Sequence, residues 1–209
     1  MAERTAESKR DRKVLARAAR QRQSKRARMR ARFRSVGIAV GVVVIVALVG
    51  ALLFRNGSSG VAYAGDIRAG GTLQRLELPT LQGGGRIDYK TLSNKPLVIN
   101  FFASWCPNCV GEMPGFEQVH QQLGDQVGFL GISQSDAASA SIALAHQTGI
   151  TYPTGIDRNG VFFNATGGVG MPTTILVRPG GQIAEIWVGA LDPTSLKLLI
   201  AKDLGVTAA

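Results

Sequence analysis

The sequence predicts an α/β fold. A mixed central sheet is flanked by helices, with a hairpin ahead of the sheet and one transmembrane helix ahead of that. Three observations carry this expectation. Apolar runs of strand length at 97–102 and 127–132 are separated by a stretch of helical periodicity, the pattern of parallel strands joined by a crossover helix. Two later runs, Thr173 to Val177 and Gln182 to Val188, flank Arg178-Pro179-Gly180-Gly181 and fold back as an antiparallel hairpin. Far upstream, Ser35 to Phe54 is a run of 20 residues without a charge.

Residues 1–34 hold 14 of the 24 Lys and Arg and only 3 of the 14 Asp and Glu. With few large apolar side chains they cannot bury a core, and they read as a solvated, cytoplasmic basic arm. Anionic lipid headgroups would attract it further. As a helix, residues 35–54 span about 30 Å, the thickness of the hydrocarbon core. The positive-inside rule keeps the arm cytoplasmic and places the C-terminal domain on the far side of the membrane. The basic region and the apolar run are both long for a cleaved signal peptide, and the small-x-small triplet Ala62-Tyr63-Ala64 lies past the run, so 35–54 is read as an uncleaved signal anchor. Residues 55–69, with Asn56-Gly57-Ser58-Ser59-Gly60, read as a flexible linker, and the soluble domain is expected over 70–209.

Within that domain Leu73 to Leu78 alternates and ends at Pro79, and Arg86 to Asp88 returns after a glycine turn as the leading hairpin. Leu97 to Phe102 is the central strand. In the helix after it, Met113, Phe116, Val119 or His120, and Leu123 recur at helical spacing, Pro114 is expected to kink it, and Gly124 to cap it. After the second strand, Asp136 is placed to cap a helix over 137–148. A short segment at 151–157, one helical turn at 161–163, the hairpin, and a last helix opened by Pro193 complete the order.

Cys106 and Cys109 are the only cysteines, and they lie at the strand-to-helix junction. A helix N-terminus offers unpaired N–H groups and the positive end of the dipole, which favours a thiolate there. Such a thiolate attacks other disulfides, so the pair points to thiol–disulfide exchange. A structural staple is the weaker reading, because so short a loop stabilises little. Half of a zinc site is weaker still, because His120 and His146 are the only histidines and neither has ligand spacing; both read as helix-surface positions. No metal or organic cofactor is expected. The basic arm accounts for the net charge of +10, and residues 35–209 carry −1, so no nucleic-acid partner is expected. An exported domain also sits where disulfides persist.

The element order, with Trp105-Cys106-Pro107-Asn108-Cys109 between the first full strand and its helix, resembles thioredoxin. Ala103-Ser104-Trp105-Cys106-x-x-Cys109 is similar to that family's active-site signature, and Met171-Pro172-Thr173-Thr174 to the loop whose cis-proline faces the disulfide. The anchor, the extra hairpin and Cys109-Val110-Gly111-Glu112-Met113-Pro114, similar to Cys-x-x-Glu-x-Pro, resemble the membrane-anchored TlpA/ResA/CcmG-like branch. The resemblance covers about residues 66–205. It implies a thioredoxin fold and a bacterial single-pass membrane protein with its catalytic domain outside the cytoplasm. Cys106 is then the nucleophile and Cys109 the resolving thiol, the two forming the redox disulfide. Trp105, Met171 and Pro172 would contact the substrate. The implied partners are exported proteins with thiols or disulfides, apocytochrome c among them, and a membrane thiol donor of electrons. The resemblance to this branch implies a disulfide reductase, with an oxidase that forms disulfides in exported proteins and a non-catalytic client-binding module as the alternatives.

The chain departs from thioredoxin at Asn100, where that protein carries a buried Asp, and Asn cannot titrate. Glu112 lies three residues beyond Cys109 on the same helix face and is the candidate proton acceptor for it. An exposed glutamate in a salt bridge is the competing reading of Glu112, and an ordinary trans turn proline that of Pro172.

Overall fold

The computed structural model describes residues 60–92 and 94–207. The basic arm, the expected anchor over 35–54 and residues 55–59 of the expected linker lie outside the described residues. Among the described residues no helix is long and apolar enough to cross a membrane.

Strand β4 (Leu97–Phe102) is buried at all six positions, as expected of a strand covered on both faces. It pairs in parallel with β5 (Gly128–Gln134) and antiparallel with β7 (Thr173–Val177). β6 (Thr154–Asp157) extends the sheet beyond β5, and β8 (Ile183–Val188) extends it beyond β7, giving the order β6-β5-β4-β7-β8. Helices α1 (Pro107–Leu123) and α2 (Ala138–Thr148) provide the two crossovers. The short α3 (Val161–Ala165) comes after β6. The chain closes with α4 (Pro193–Leu199), whose last turn loosens into a π-helical turn over Ile200–Leu204.

Alternation along β4 divides the core. Leu97, Ile99 and Phe101 join one cluster with Leu130, Ile132, Ile175 and Val177. Val98 joins a second, with Phe116, Val119 and Leu123 of α1 and Leu196 of α4. The first cluster is covered by a separate three-stranded sheet of β1 (Ala62–Gly65), β2 (Leu73–Pro79) and β3 (Arg86–Asp88). Leu73, Leu76 and Leu78 of β2 supply its apolar side. Bridges at both ends of β2 tie it across the main sheet: Thr72 pairs with Gln182 beside β8, and Thr80 with Gly155 of β6.

Several expectations are corrected. The hairpin is a three-stranded sheet, because β1 pairs antiparallel with β2 inside the segment read as linker, eight residues ahead of the expected start at Gly70. Its sequence, Ala62-Tyr63-Ala64-Gly65, carries no apolar alternation, since three of its four residues face solvent. Asp136 does not cap α2; the N-cap is Ala137, without a side-chain hydrogen bond. Gly124 does cap α1, but in the right-handed conformation. Glycine is needed there for space, since a Cβ would lie 2.7 Å from the His120 carbonyl oxygen.

Candidate active site

The end of β4 delivers the chain through Ala103-Ser104-Trp105 to Cys106, which is the N-cap of α1, with Pro107 in its first turn. Pro is well suited there because its missing N–H has no partner to lose. Cys106 Sγ accepts from the Cys109 backbone N–H at 3.2 Å, so the helix end donates to this sulfur. Cys106 and Cys109 are joined, with an S–S distance of 2.07 Å and a Cα–Cα distance of 5.3 Å. Cys106 is 4% exposed and Cys109 0% exposed, so only the first sulfur can be reached from outside.

The loop carrying Trp105 is held by residues 30 or more positions away. Asp136 Oδ2 accepts from the Ser104 N–H at 2.7 Å, and its Oδ1 from Ser104 Oγ at 3.1 Å. The Ala137 N–H and Ser141 Oγ complete its partners, each at 2.7 Å. Burial alone would raise the Asp136 carboxyl, but these hydrogen bonds together hold it below its ordinary value. Trp105 is 56% exposed and donates its indole N–H to the Ser135 carbonyl at 3.2 Å. Ser135 has φ 47°, the one non-glycine residue in the left-handed region among those described. Nothing in the spacing of Asp136 and Ser104 points to this contact. The signal present, an acidic residue ahead of a helix, suggests a cap instead.

Glu112 lies on α1 below the disulfide and is buried. It forms none of the ion pairs found among the described residues, so the salt-bridge reading is corrected. Its Oε1 accepts from Asn100 Nδ2 at 2.8 Å and its Oε2 from the Leu191 N–H at 2.9 Å. Burial pushes its carboxyl up to about 7, with the Leu191 and Asn100 hydrogen bonds pulling the other way. Asn100 Oδ1 is buried without a hydrogen-bond partner, and so is Thr174 Oγ1 directly across the β4–β7 register. Thus the two residues singled out separately in the sequence, Asn100 and Glu112, meet.

The Met171–Pro172 peptide is cis. Register places it at the end of β4 that leads to the cysteines, because Thr173 pairs with Phe101. Thr173 Oγ donates to the Gly170 carbonyl at 2.7 Å, and the Gly189 N–H to the Pro172 carbonyl at 2.9 Å. Met171 packs on the cluster that contains Cys106, Cys109, Phe102 and Met113. A cleft of about 520 Å³ runs beside the helix start, between Pro107, Asn108 and Glu112 on one wall and Ala190 and Leu191 on the other.

Of the histidines, His146 is exposed on α2, whereas His120 is packed edge-on against Phe129 and Tyr152, with Glu117 at 3.5 Å. Among the described residues no group of three or more His, Cys, Asp or Glu could hold a metal ion.

The sequence profile of the AhpC/TSA family matches residues 69–186, more than half of the chain. The chain belongs to the AhpC/TSA family. Among curated relatives of this family member, the thiol-disulfide oxidoreductase ResA of Halalkalibacterium halodurans is 27% identical over 125 residues, covering 59% of this chain and 70% of ResA. The thioredoxin-like protein YneN of Bacillus subtilis is 29% identical over 141 residues, covering 66% of this chain and 81% of YneN. A secreted Mycobacterium tuberculosis disulfide oxidoreductase homologous to E. coli DsbE superposes with a TM-score of 0.55, at 24% identity, over 60% of this chain and 94% of its own. That last likeness shows the fold alone. The fold is thioredoxin-like, and the protein is a thiol–disulfide oxidoreductase with Cys106–Cys109 as its active-site pair.

Proposed function

We propose that the protein is a disulfide reductase held outside a bacterial cell membrane by residues 35–54, with the basic arm 1–34 inside. The direction rests on the resemblance to the TlpA/ResA/CcmG-like branch, while the exchange chemistry itself is supported best by Glu112, a buried carboxyl pushed up to about 7 and three residues beyond Cys109. Reduction of a target requires Cys109 to lose its proton inside the protein, and a carboxylate that titrates near neutrality suits that transfer.

In the first step the Cys106 thiolate attacks a target disulfide. A Cys106–target bond forms, and the second target sulfur leaves as a thiolate that takes a proton from solvent. Glu112 then accepts the Cys109 proton, and the Cys109 sulfur attacks Cys106. The Cys106–Cys109 disulfide forms, and the target leaves with both sulfurs reduced. Two electrons have passed to the target, and a membrane thiol donor restores them. Trp105, Met171 and Pro172 receive the extended target chain. Exported proteins with disulfides are the substrate class, apocytochrome c among them by the resemblance to the TlpA/ResA/CcmG-like branch.

The reduction potential of the full chain, equilibrated with dithiothreitol or glutathione buffers, tests the direction. The expected value is near or below about −270 mV, and a value near about −120 mV makes the protein an oxidase. Cys106→Ser is expected to abolish turnover. Cys109→Ser is expected to trap a target covalently on Cys106, and mass spectrometry reads both.

A further inference from the structure

Two of the seven exposed large apolar side chains among the described residues, Trp187 and Leu198, line one recess between the end of β8 and α4. Scattered apolar residues need no explanation, but adjacent ones mark a surface that meets something. Here they border a recess of about 260 Å³, formed by Trp187, Leu198 and Leu199 around Ala190 and Leu191, with Lys202 at the rim. Leu198 is 66% exposed although it is a leucine on a helix that buries its neighbour Leu196.

The recess shares part of its lining with the cleft beside the start of α1, and this bears on what can reach it. Ala190 and Leu191 line both. On one side of them lie Pro107, Asn108 and Glu112; on the other lie Trp187 and Leu198. A polypeptide that presents a disulfide to Cys106 can carry its flanking residues over this shared wall. The recess has one charged side chain, Lys202, and that already faces Asp203 at 3.6 Å. It therefore favours an uncharged, apolar group, and its volume suits one side chain the size of Leu, Met or Phe.

We propose that this recess is a second client subsite, which takes a large apolar side chain a fixed number of residues from the reacting cysteine. The proposal rests on the reading that the protein exchanges disulfides with polypeptide clients. It makes the client's flanking sequence, and not its cysteine alone, a determinant of rate.

The test uses the full chain in its reduced form and peptides that are each closed by one disulfide. The peptides are identical serine-rich sequences in which a single leucine occupies successive positions outside the ring. The expected result is one leucine position at which the second-order rate of disulfide opening exceeds that of the all-serine peptide at least tenfold. In Leu198→Asp that ratio is expected to fall below twofold. The comparison is made within each variant, so a general loss of activity does not imitate it; if Leu198→Asp fails to fold, the surface truncation Leu198→Ala is used in the same way. No preferred position, or a preference that survives at Leu198, overturns the subsite while leaving the oxidoreductase reading intact. Failure of the wild type to open even the all-serine disulfide overturns that reading and the subsite with it.

Discussion

From β4, Leu97, Ile99 and Phe101 point into a cluster of apolar side chains and the Tyr89 ring. Val98, Asn100 and Phe102 point the other way, and there the apolar layer is interrupted. Asn100 meets Glu112, Phe102 packs with Cys106 and Cys109, and the Asn100 and Thr174 oxygens lie buried without partners. One strand thus separates a face that only holds the fold together from a face that carries chemistry. The difference shows where stability is given up: a buried polar atom without a partner costs about 1–3 kcal/mol. On the β2 side no such cost appears along β4. The polar groups gather under the disulfide, where a titrating carboxyl has a use.

The comparison breaks if the two faces answer alike to truncation. Phe101 is fully buried, with ring contacts to Phe162 and Phe163 at 5.7 and 5.3 Å between centroids. Phe101→Ala is expected to cost roughly 3–5 kcal/mol of stability, read from urea unfolding, by lost burial and the cavity left behind. The pH dependence of disulfide exchange should stay where it is. A displaced profile would mean that the two faces are not independent.

Glu112→Gln sharpens the comparison from the other side. The Glu112 carboxyl is raised from 4.5 to about 7, so its neutral form suits the fold. The stability this provides is fully present below about pH 4.5 and is lost as pH rises through about 7. The shift corresponds to about 3 kcal/mol at pH 8, as an upper figure. Urea unfolding of the oxidised protein at pH 5 and pH 8 should therefore show a fall that Glu112→Gln flattens. Kinetically the sign reverses, since only ionised Glu112 can take the Cys109 proton. The resolving step should speed up as pH rises through about 7, and in Glu112→Gln that rise should move toward the ordinary thiol value of about 8.5. A resolving step with the same profile in both proteins would remove Glu112 from the mechanism.

The chemical face is more legible in sequence than the structural one. Cys106 and Cys109 are the only cysteines, the Met171-Pro172 pair precedes an apolar strand, and Glu112 sits at helical spacing from Cys109. Rare residue types at fixed local spacing leave a readable trace. The cover over Leu97, Ile99 and Phe101 leaves less. β1 exposes three of its four residues, so nothing marks it as a strand until β2 is beside it. The bridges from Thr72 to Gln182 and from Thr80 to Gly155 join positions far apart in the chain, and no local pattern encodes them. Asp136 is visible in the sequence, but its local context misleads. The local rule for an acid before a helix competes with Ser104, 32 residues away, and Ser104 wins.

Asp136 gives the smallest effect and the closest contrast with Glu112. Both carboxyls support the surroundings of the disulfide, Glu112 through Asn100 and Leu191 and Asp136 through Ser104, yet their linkage runs in opposite directions. Asp136 is held below its ordinary value of 3.8 by the Ser104, Ser141 and Ala137 donors, so its stabilisation is present above about pH 4 and is lost as pH falls through that range. Asp136→Ala removes those acceptors but leaves few donors stranded. Ser141 keeps Ser133 Oγ at 2.6 Å, the Ser104 hydroxyl can turn to solvent and Ala137 is exposed, so only the N–H of the half-buried Ser104 loses its acceptor. The expected cost is therefore about 1 kcal/mol, the net worth of a hydrogen bond rather than the penalty of a buried orphan. Hydrogen exchange at the Ser104 amide should accelerate above pH 4, while the midpoint of the Glu112-dependent profile stays in place. If the midpoint also moved, the loop that positions Trp105 and the carboxyl beneath the disulfide would be one coupled unit rather than two separate supports of the disulfide's surroundings.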